Sequence, residues 1–350
     1  MAIETPVLRQ LFDQDTWTYT YLLFDPQTGE GVMIDPVKSQ HGRDLKLIRE
    51  LGVSLLYVLD THVHADHITG AGLLSLATGA KIVLGAPSQV EAAHILVKEG
   101  ELFSFGKHQI KALATPGHTD ACTSFYLPGM LFSGDVLFIR GCGRTDFQQG
   151  SCYKMFDSIT KKFYSLPDAT LVYPGHDYKG QTVTTIGEEK QFNPRIPEGQ
   201  TIEPFTEIMK NLNLPAPKYL EQSVPANLVC GFPEVARVVE LPEGVSMDGL
   251  HGLLPELSPG EVVVDVRTLP EFAAGHVPGA INIPQGTEQL ALDQLKTYSK
   301  IYLYCRSGHR IKSTYANLAQ NGVTNLVPVT NSGMPDWISA GYPVSLGINP

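Results

Sequence analysis

Basic charge is scarce in this chain: 26 lysines and arginines stand against 36 aspartates and glutamates, for a formal net charge of -10. No lysine- or arginine-rich run interrupts that balance. A nucleic-acid partner is therefore not expected, because phosphate binding needs a concentrated basic surface. Long apolar runs are missing as well. No segment approaches the ~20 apolar residues that span a bilayer, so no membrane association is expected. The first residues, MAIETPVLRQLFDQDT, have no basic region ahead of an apolar one and carry Glu4, Asp13 and Asp15. Neither a secretory signal nor a transit peptide is expected there. Cysteine is sparse: Cys122, Cys142, Cys152, Cys230 and Cys305 are odd in number and scattered. Such usage argues against a disulfide framework and for reduced thiols in the cytoplasm.

What is present suits a globular enzyme of two domains. The chain has 350 residues, 43% of them hydrophobic, which exceeds a usual single domain and can bury sizeable cores. The first half alternates strand and helix signals. Strands are predicted at Thr18 to Phe24 and Gly31 to Ile34, joined by a turn at Gly29. Leu45, Ile48 and Leu51 mark one face of a helix that Gly52 ends. Further strands are expected at Leu55 to Leu59, Lys81 to Leu84, Thr123 to Leu127 and Leu171 to Tyr173. Helical spacing returns at Met155, Phe156, Ile159 and Phe163. Between Leu214 and Gly244, Pro215, Pro217, Pro225, Pro233 and Pro242 interrupt any clean periodicity, and part of this stretch reads as a connector. A second α/β pattern follows, with strands at Glu261 to Val266, Ile301 to Tyr304 and Leu326 to Val329 and a helix from about His309. Alternation of that kind indicates a parallel sheet flanked by helices. The domains are set at residues 1–236 and 237–350, and a homo-oligomer is left open.

The sharpest chemical signal is Thr61-His62-Val63-His64-Ala65-Asp66-His67, directly after a predicted strand. Four imidazole and carboxylate groups so close together would be wasteful in a core, since each needs polar partners. Gly117-His118-Thr119, Gly134-Asp135 and Gly175-His176-Asp177 match it, each at a predicted strand end. Loops at strand ends converge on one edge of a layered fold, so these groups can meet in space. Singly, His118 or His176 would read as a structural histidine; jointly, the set points to a metal site. His41, His94, His108 and His251 lack such company and read as surface or structural residues.

The pattern HxHxDH, GHT, GD and GHD resembles the metallo-β-lactamase superfamily, which implies an αβ/βα sandwich with the metal at one edge. The likeness points to the glutathione-dependent branch shared by glyoxalase II and the persulfide dioxygenases. The segment from Ile139 to Gly150 (IRGCGRTDFQQG), with Tyr173 to Tyr178 and Asn193-Pro194-Arg195, resembles the dioxygenases in particular. That resemblance places ferrous iron, Fe(2+), one per chain, on His62, His118 and Asp135, a ligand set that leaves coordination positions open. It places His64, Asp66, His67 and His176 around the iron, where they orient its ligands. Glutathione persulfide and O2 are the implied substrates, with Tyr178, Arg195 and, more weakly, Arg140 holding the glutathione part through its carboxylates. Arg144 and Asp146 read as a structural pair beside the site. Asp120 departs from the proline often found after GHT, which affects only the expected shape of that loop.

Residues Tyr302 to Arg310 (YLYCRSGHR) put Cys305 at a strand end, just before a helix. Backbone N–H groups there favour negative charge, and Arg306 and Arg310 would add positive potential. That is a setting for a nucleophilic cysteine. The loop resembles the active-site loop of rhodaneses, as do Asp265-Val266-Arg267, the segment Gly275 to Ala280, and Trp337. The resemblance implies a cysteine that carries sulfur as a persulfide, exchanged between thiosulfate and glutathione. Asp265, Arg267 and His276 read as framework residues. Asn331-Ser332-Gly333 stands where many rhodaneses have paired glycines. The chain thus reads as an iron persulfide dioxygenase fused to a rhodanese. A dinuclear glyoxalase-II-like thioester hydrolase with the same fused domain is the first rival, and a sulfur carrier or sensor without turnover is the second.

Overall fold

Strand Thr18–Phe24 pairs antiparallel with Val7–Asp13 on one side and Glu30–Ile34 on the other. Gly29, at φ 74, lies in the turn that joins Thr18–Phe24 to Glu30–Ile34. The sheet continues in parallel through Ser54–Leu59, Lys81–Gly85 and Ile95–Val97. The structure is a computed structural model and describes residues 5–232, 241–308 and 310–348. Two compact units make up the chain: Met1–Gly72 with Ala80–Phe232, and Leu73–Gly79 with Pro233–Pro350. The expected boundary at 236/237 lies outside the described residues.

In the first unit a second sheet runs in the order Thr184–Thr185, Leu171–Pro174, Met130–Gly134, Thr123–Leu127, His108–Ala114, Leu102–Phe105. Successive side chains on its strands face opposite ways. Phe132, Phe125 and Tyr173 meet Tyr21, Leu23 and Ile34 of the first sheet in a shared core, with the Phe132 and Tyr173 rings stacked 5.1 Å apart. Leu131, Leu113 and Val172 point the other way, against Met155, Ile159, Phe163 and Phe205. This is the expected sandwich, sheets inside and helices outside. The helix expected around Met155 to Phe163 begins as Cys152–Asp157 and widens into a π-helix over Ser158–Phe163.

Strand direction brings the chemistry together. Met130–Gly134 is parallel to Leu171–Pro174, and both run with His108–Ala114, because Thr123–Leu127 is antiparallel to its neighbours on each side. Their C-terminal ends share one edge, which carries His118, Asp135 and His176. The histidine loop follows Ser54–Leu59 in the other sheet.

The second unit holds a parallel sheet in the order Ile281–Asn282, Glu261–Asp265, Lys300–Tyr304, Leu326–Pro328. Val262, Val264 and Leu303 pack on one face with Ile311 and Leu318. Val263, Tyr302 and Tyr304 pack on the other with Phe272 and Trp337. The expected helix runs Arg310–Gln320; His309 itself lies outside the described residues. Asp265 and Arg267 form a buried ion pair at 2.6 Å, and Arg267 also donates to the carbonyl of Gly275. They and buried His276 serve the framework, as expected.

Candidate functional site

His62, His118 and Asp135 each offer a ligand atom, and these atoms lie within 4.8 Å of one another. Hydrogen bonds on the far side of each ring set the chemistry. Thr61 Oγ1 donates to Asp35 at 2.9 Å, so it accepts from Nδ1–H of His62 at 3.0 Å. Nδ1 of His118 donates to the carbonyl of Arg144 at 2.9 Å. Both rings then present Nε2 with its lone pair free, the form a metal takes. Burial and the neighbouring His64 and His118 keep the His62 pKa well below the ordinary histidine range, so the ring is neutral. Nε2 of His62 and Oδ1 of Asp135 are buried and make no hydrogen bond. Orphaned polar atoms cost stability unless something fills the space between them. The residues therefore fit a metal ion.

Two glycines let this edge close up. Gly134, at φ 53, has no room for a Cβ, which would clash with Oγ1 of Thr61 at 2.6 Å. A Cβ at Gly175 would sit 2.5 Å from Oδ1 of Asp135. Side chains there would push the ligands apart.

His64, Asp66 and His67 form a second set with ligand spacing. Nε2 of His64 lies 3.2 Å from Oδ1 of Asp35, and Nδ1 of His67 lies 2.8 Å from Asp66. Burial opposes charge on His64, but Asp35 outweighs it and raises the pKa to about 9. His176 stands between the two sets, 3.4 Å from Asp135 and 3.6 Å from Asp66. Nδ1 of His176 donates to the carbonyl of Trp17 at 3.2 Å.

A cavity of about 540 Å³ opens on this edge, a size that takes a small organic ligand. Arg140, Tyr178 and Arg195 all line it, beside Asp66, His118 and Asp135. Tyr178 stacks nearly parallel to His176, with centroids 6.1 Å apart. Arg195 donates to the carbonyl of Cys142 and lines the cavity. Arg140 is more committed: its guanidinium binds the fully buried Glu189 carboxylate and also Thr184. Arg144 and Asp146 pair in bidentate fashion at 2.7 and 2.8 Å. Cys142 is buried in the core, and burial pushes its thiol up to about 11. Asp120 pairs with Lys154.

In the second unit, buried Cys305 directly follows the strand Lys300–Tyr304, and the N–H of Gly308 donates to Sγ at 3.1 Å. Arg306 is exposed. Arg310 makes a fork with both oxygens of Glu271, at 2.6 and 2.7 Å. Burial resists ionisation of Glu271, but Arg310 and Thr268 hold its pKa at about 2. Much of the charge of Arg310 is therefore answered locally. Gly333 packs where a Cβ would strike the carbonyl of Arg306 at 2.0 Å, and Ser332 accepts from the N–H of Met247 at 2.8 Å. The loop thus closes without paired glycines.

Several supporting residues escaped the sequence reading. Asp35 receives the N–H and hydroxyl of Thr61 and holds His64. Asp60, buried and raised to about 7 by burial, accepts from Thr69 at 3.0 Å. Asn227 ends a helix, Leu220–Asn227, inside the proline-rich stretch and binds the histidine loop by three hydrogen bonds. A lone Asp after a strand and a lone Asn among prolines carry no sequence signal of their own.

Comparison with known proteins agrees with this geometry. The metallo-beta-lactamase superfamily model matches residues 18–176, and the rhodanese-like domain model matches residues 251–340. Human mitochondrial persulfide dioxygenase ETHE1 is 47% identical over 228 residues, covering 64% of this chain and 89% of that protein. The crystal structure of ETHE1 from Myxococcus xanthus is 50% identical, covers 64% of this chain and 99% of its own, and superposes with a TM-score of 0.63. A metallo-beta-lactamase structure from Staphylococcus aureus subsp. aureus COL covers 93% of this chain and 99% of its own at 23% identity, with a TM-score of 0.60, a likeness of fold alone. Among the described residues no helix is long and apolar enough to cross a membrane. The chain is an enzyme that belongs to the persulfide dioxygenase family of the metallo-beta-lactamase superfamily and continues into a rhodanese-like domain.

Proposed function

We propose that this chain oxidises glutathione persulfide with dioxygen to sulfite and glutathione at one ferrous ion, and that Cys305 passes sulfane sulfur from thiosulfate to glutathione. The observation that carries the first part is the set His62, His118 and Asp135, with Nε2 of His62 and Oδ1 of Asp135 left without hydrogen bonds. Two imidazoles and a carboxylate would hold the ion, and ferrous iron supplies open positions and redox chemistry with dioxygen. His64, Asp66, His67 and His176 orient this edge through the contacts with Asp35, with one another and with Trp17. Arg195 and Tyr178, at the cavity wall, hold the glutathione part. Arg140 supports them chiefly by fixing Glu189.

The net oxidation consumes one persulfide, one dioxygen and one water, and yields glutathione, sulfite and two protons. In the other unit, the Cys305 thiolate attacks the sulfane sulfur of thiosulfate and sulfite leaves with the electron pair of the broken S–S bond. A glutathione thiolate then takes that sulfur, and the electron pair returns to Sγ of Cys305. We assign these activities to residues 1–236 and 237–350. All five cysteines are free, which supports a reducing setting such as the cytoplasm.

The second metal-spaced set, His64, Asp66 and His67, is what the dinuclear hydrolase would require. Metal analysis of the purified protein, with oxygen uptake on glutathione persulfide, decides between the two. About one iron per chain with uptake supports the dioxygenase; two zinc ions with thioester hydrolysis contradict it.

A further inference from the structure

A cavity of about 740 Å³ adjoins the cysteine loop, and Gly308, whose N–H reaches Sγ of Cys305, lies in its wall. Thiosulfate would leave most of it empty; the volume is that of a pocket for a larger organic molecule. Its charged wall residues are Glu243 and Lys312. Neither makes an ion pair with a described residue, whereas Arg310, the other cation on this helix turn, is taken by Glu271. One free cation and one free anion in a single cavity are complementary to a zwitterion. Ser307, Thr330 and Asn331 supply further polar wall, suited to the amides of a peptide.

We infer that this cavity binds the thiol that accepts sulfur from Cys305, with Lys312 taking a carboxylate and Glu243 the ammonium group of its amino-acid end. The occupant is a zwitterionic peptide thiol of the glutathione kind. The inference rests on the sulfurtransferase reading of Cys305 and adds the acceptor's recognition to it. The transfer is an exchange between sulfurs. The acceptor thiolate bonds to the outer sulfur, the S–S bond to Cys305 breaks, and its electron pair stays on Sγ. No external oxidant or reductant enters.

The test uses the full chain and compares two acceptors for sulfur loaded from thiosulfate: glutathione, and cyanide, which offers neither carboxylate nor ammonium. Lys312→Ala should lower the ratio of glutathione to cyanide transfer about tenfold, the scale of one charge-assisted hydrogen bond. The loss should lie in KM for glutathione, and Lys312→Arg should restore most of it. Glu243→Gln should weaken use of glutathione but not of N-acetylcysteine, which has no ammonium group. An unchanged ratio in Lys312→Ala, or equal losses with both acceptors, would overturn the inference. Wild-type protein that transfers sulfur to neither acceptor would refute the sulfurtransferase reading itself, and the inference with it.

Discussion

The side-chain amide of Asn227 donates to the backbone carbonyl of His67 at 2.8 Å. The same amide donates to the carbonyl of His64, and its oxygen accepts from the N–H of Thr69 at 2.9 Å. One buried side chain thus holds the backbone of the histidine loop at three points. Asn227→Ala would strand these groups away from water and should cost about 2–4 kcal/mol. Metal affinity should fall although no ligand is changed. Metal titration followed by calorimetry checks this; undiminished affinity and stability would leave Asn227 without the positioning role.

Asp135 accounts for one of the orphaned atoms of the ligand set. Asp135→Ala should abolish metal binding and, with it, the protection against unfolding that the ion gives. The apoprotein should unfold much as wild-type apoprotein does. Metal content and melting temperature with and without a chelator are the measurements, and retention of a full metal complement would remove Asp135 from the set.

Arg140 and Arg195 should separate in behaviour. Arg140→Ala leaves the Glu189 carboxylate, fully buried, without its cation, at a cost of about 2–4 kcal/mol in stability. Arg195→Ala should cost less stability, about 1 kcal/mol for the lost bond to the Cys142 carbonyl, and weaken use of glutathione persulfide by about 1.5–3 kcal/mol, the range of a charge-assisted bond. Iron content should not change. Kinetics identical to wild type would take Arg195 out of substrate binding.

How much of this was legible in the sequence depended on whether the signal was local. The histidine loop announces itself, because its residues crowd into one segment and the strand before it is unmistakable. His118, Asp135 and His176 follow from strand ends, since the direction of three strands puts them on one edge. Three of the four rhodanese-like strands were legible too, near-continuous apolar runs as parallel strands buried on both faces require; the two-residue edge strand Ile281–Asn282 is too short to show such a run. Supports made across long separations were not. Asn227 acts on residues some 160 positions earlier. The helix that carries it lies among prolines, with Pro225 inside it. The fork from Glu271 to Arg310 likewise spans 39 positions, which hid that Arg310's charge is answered before any substrate arrives.

That fork has a pH consequence. Glu271 titrates at about 2 in the folded protein, below the ordinary glutamate value. Its contribution to stability is therefore complete at neutral pH. It declines as pH falls from the glutamate range of about 4.3 toward the folded value. Arg310→Ala should lower the rhodanese-like domain's melting temperature at pH 7 and flatten its decline between about pH 4.5 and 2. Parallel wild-type and mutant melting curves across that window would show that the pair contributes nothing there.

Oxygen uptake started by thiosulfate and glutathione, with no persulfide added, tests the coupled chemistry most directly. Wild-type protein should consume oxygen and release both sulfurs of thiosulfate as sulfite, with glutathione regenerated. Under the proposed relay through free glutathione persulfide, Cys305→Ala should abolish that uptake and still oxidise supplied glutathione persulfide at nearly the wild-type rate. Loss of both activities in a folded Cys305→Ala protein would contradict the account and place the cysteine within the oxidation itself.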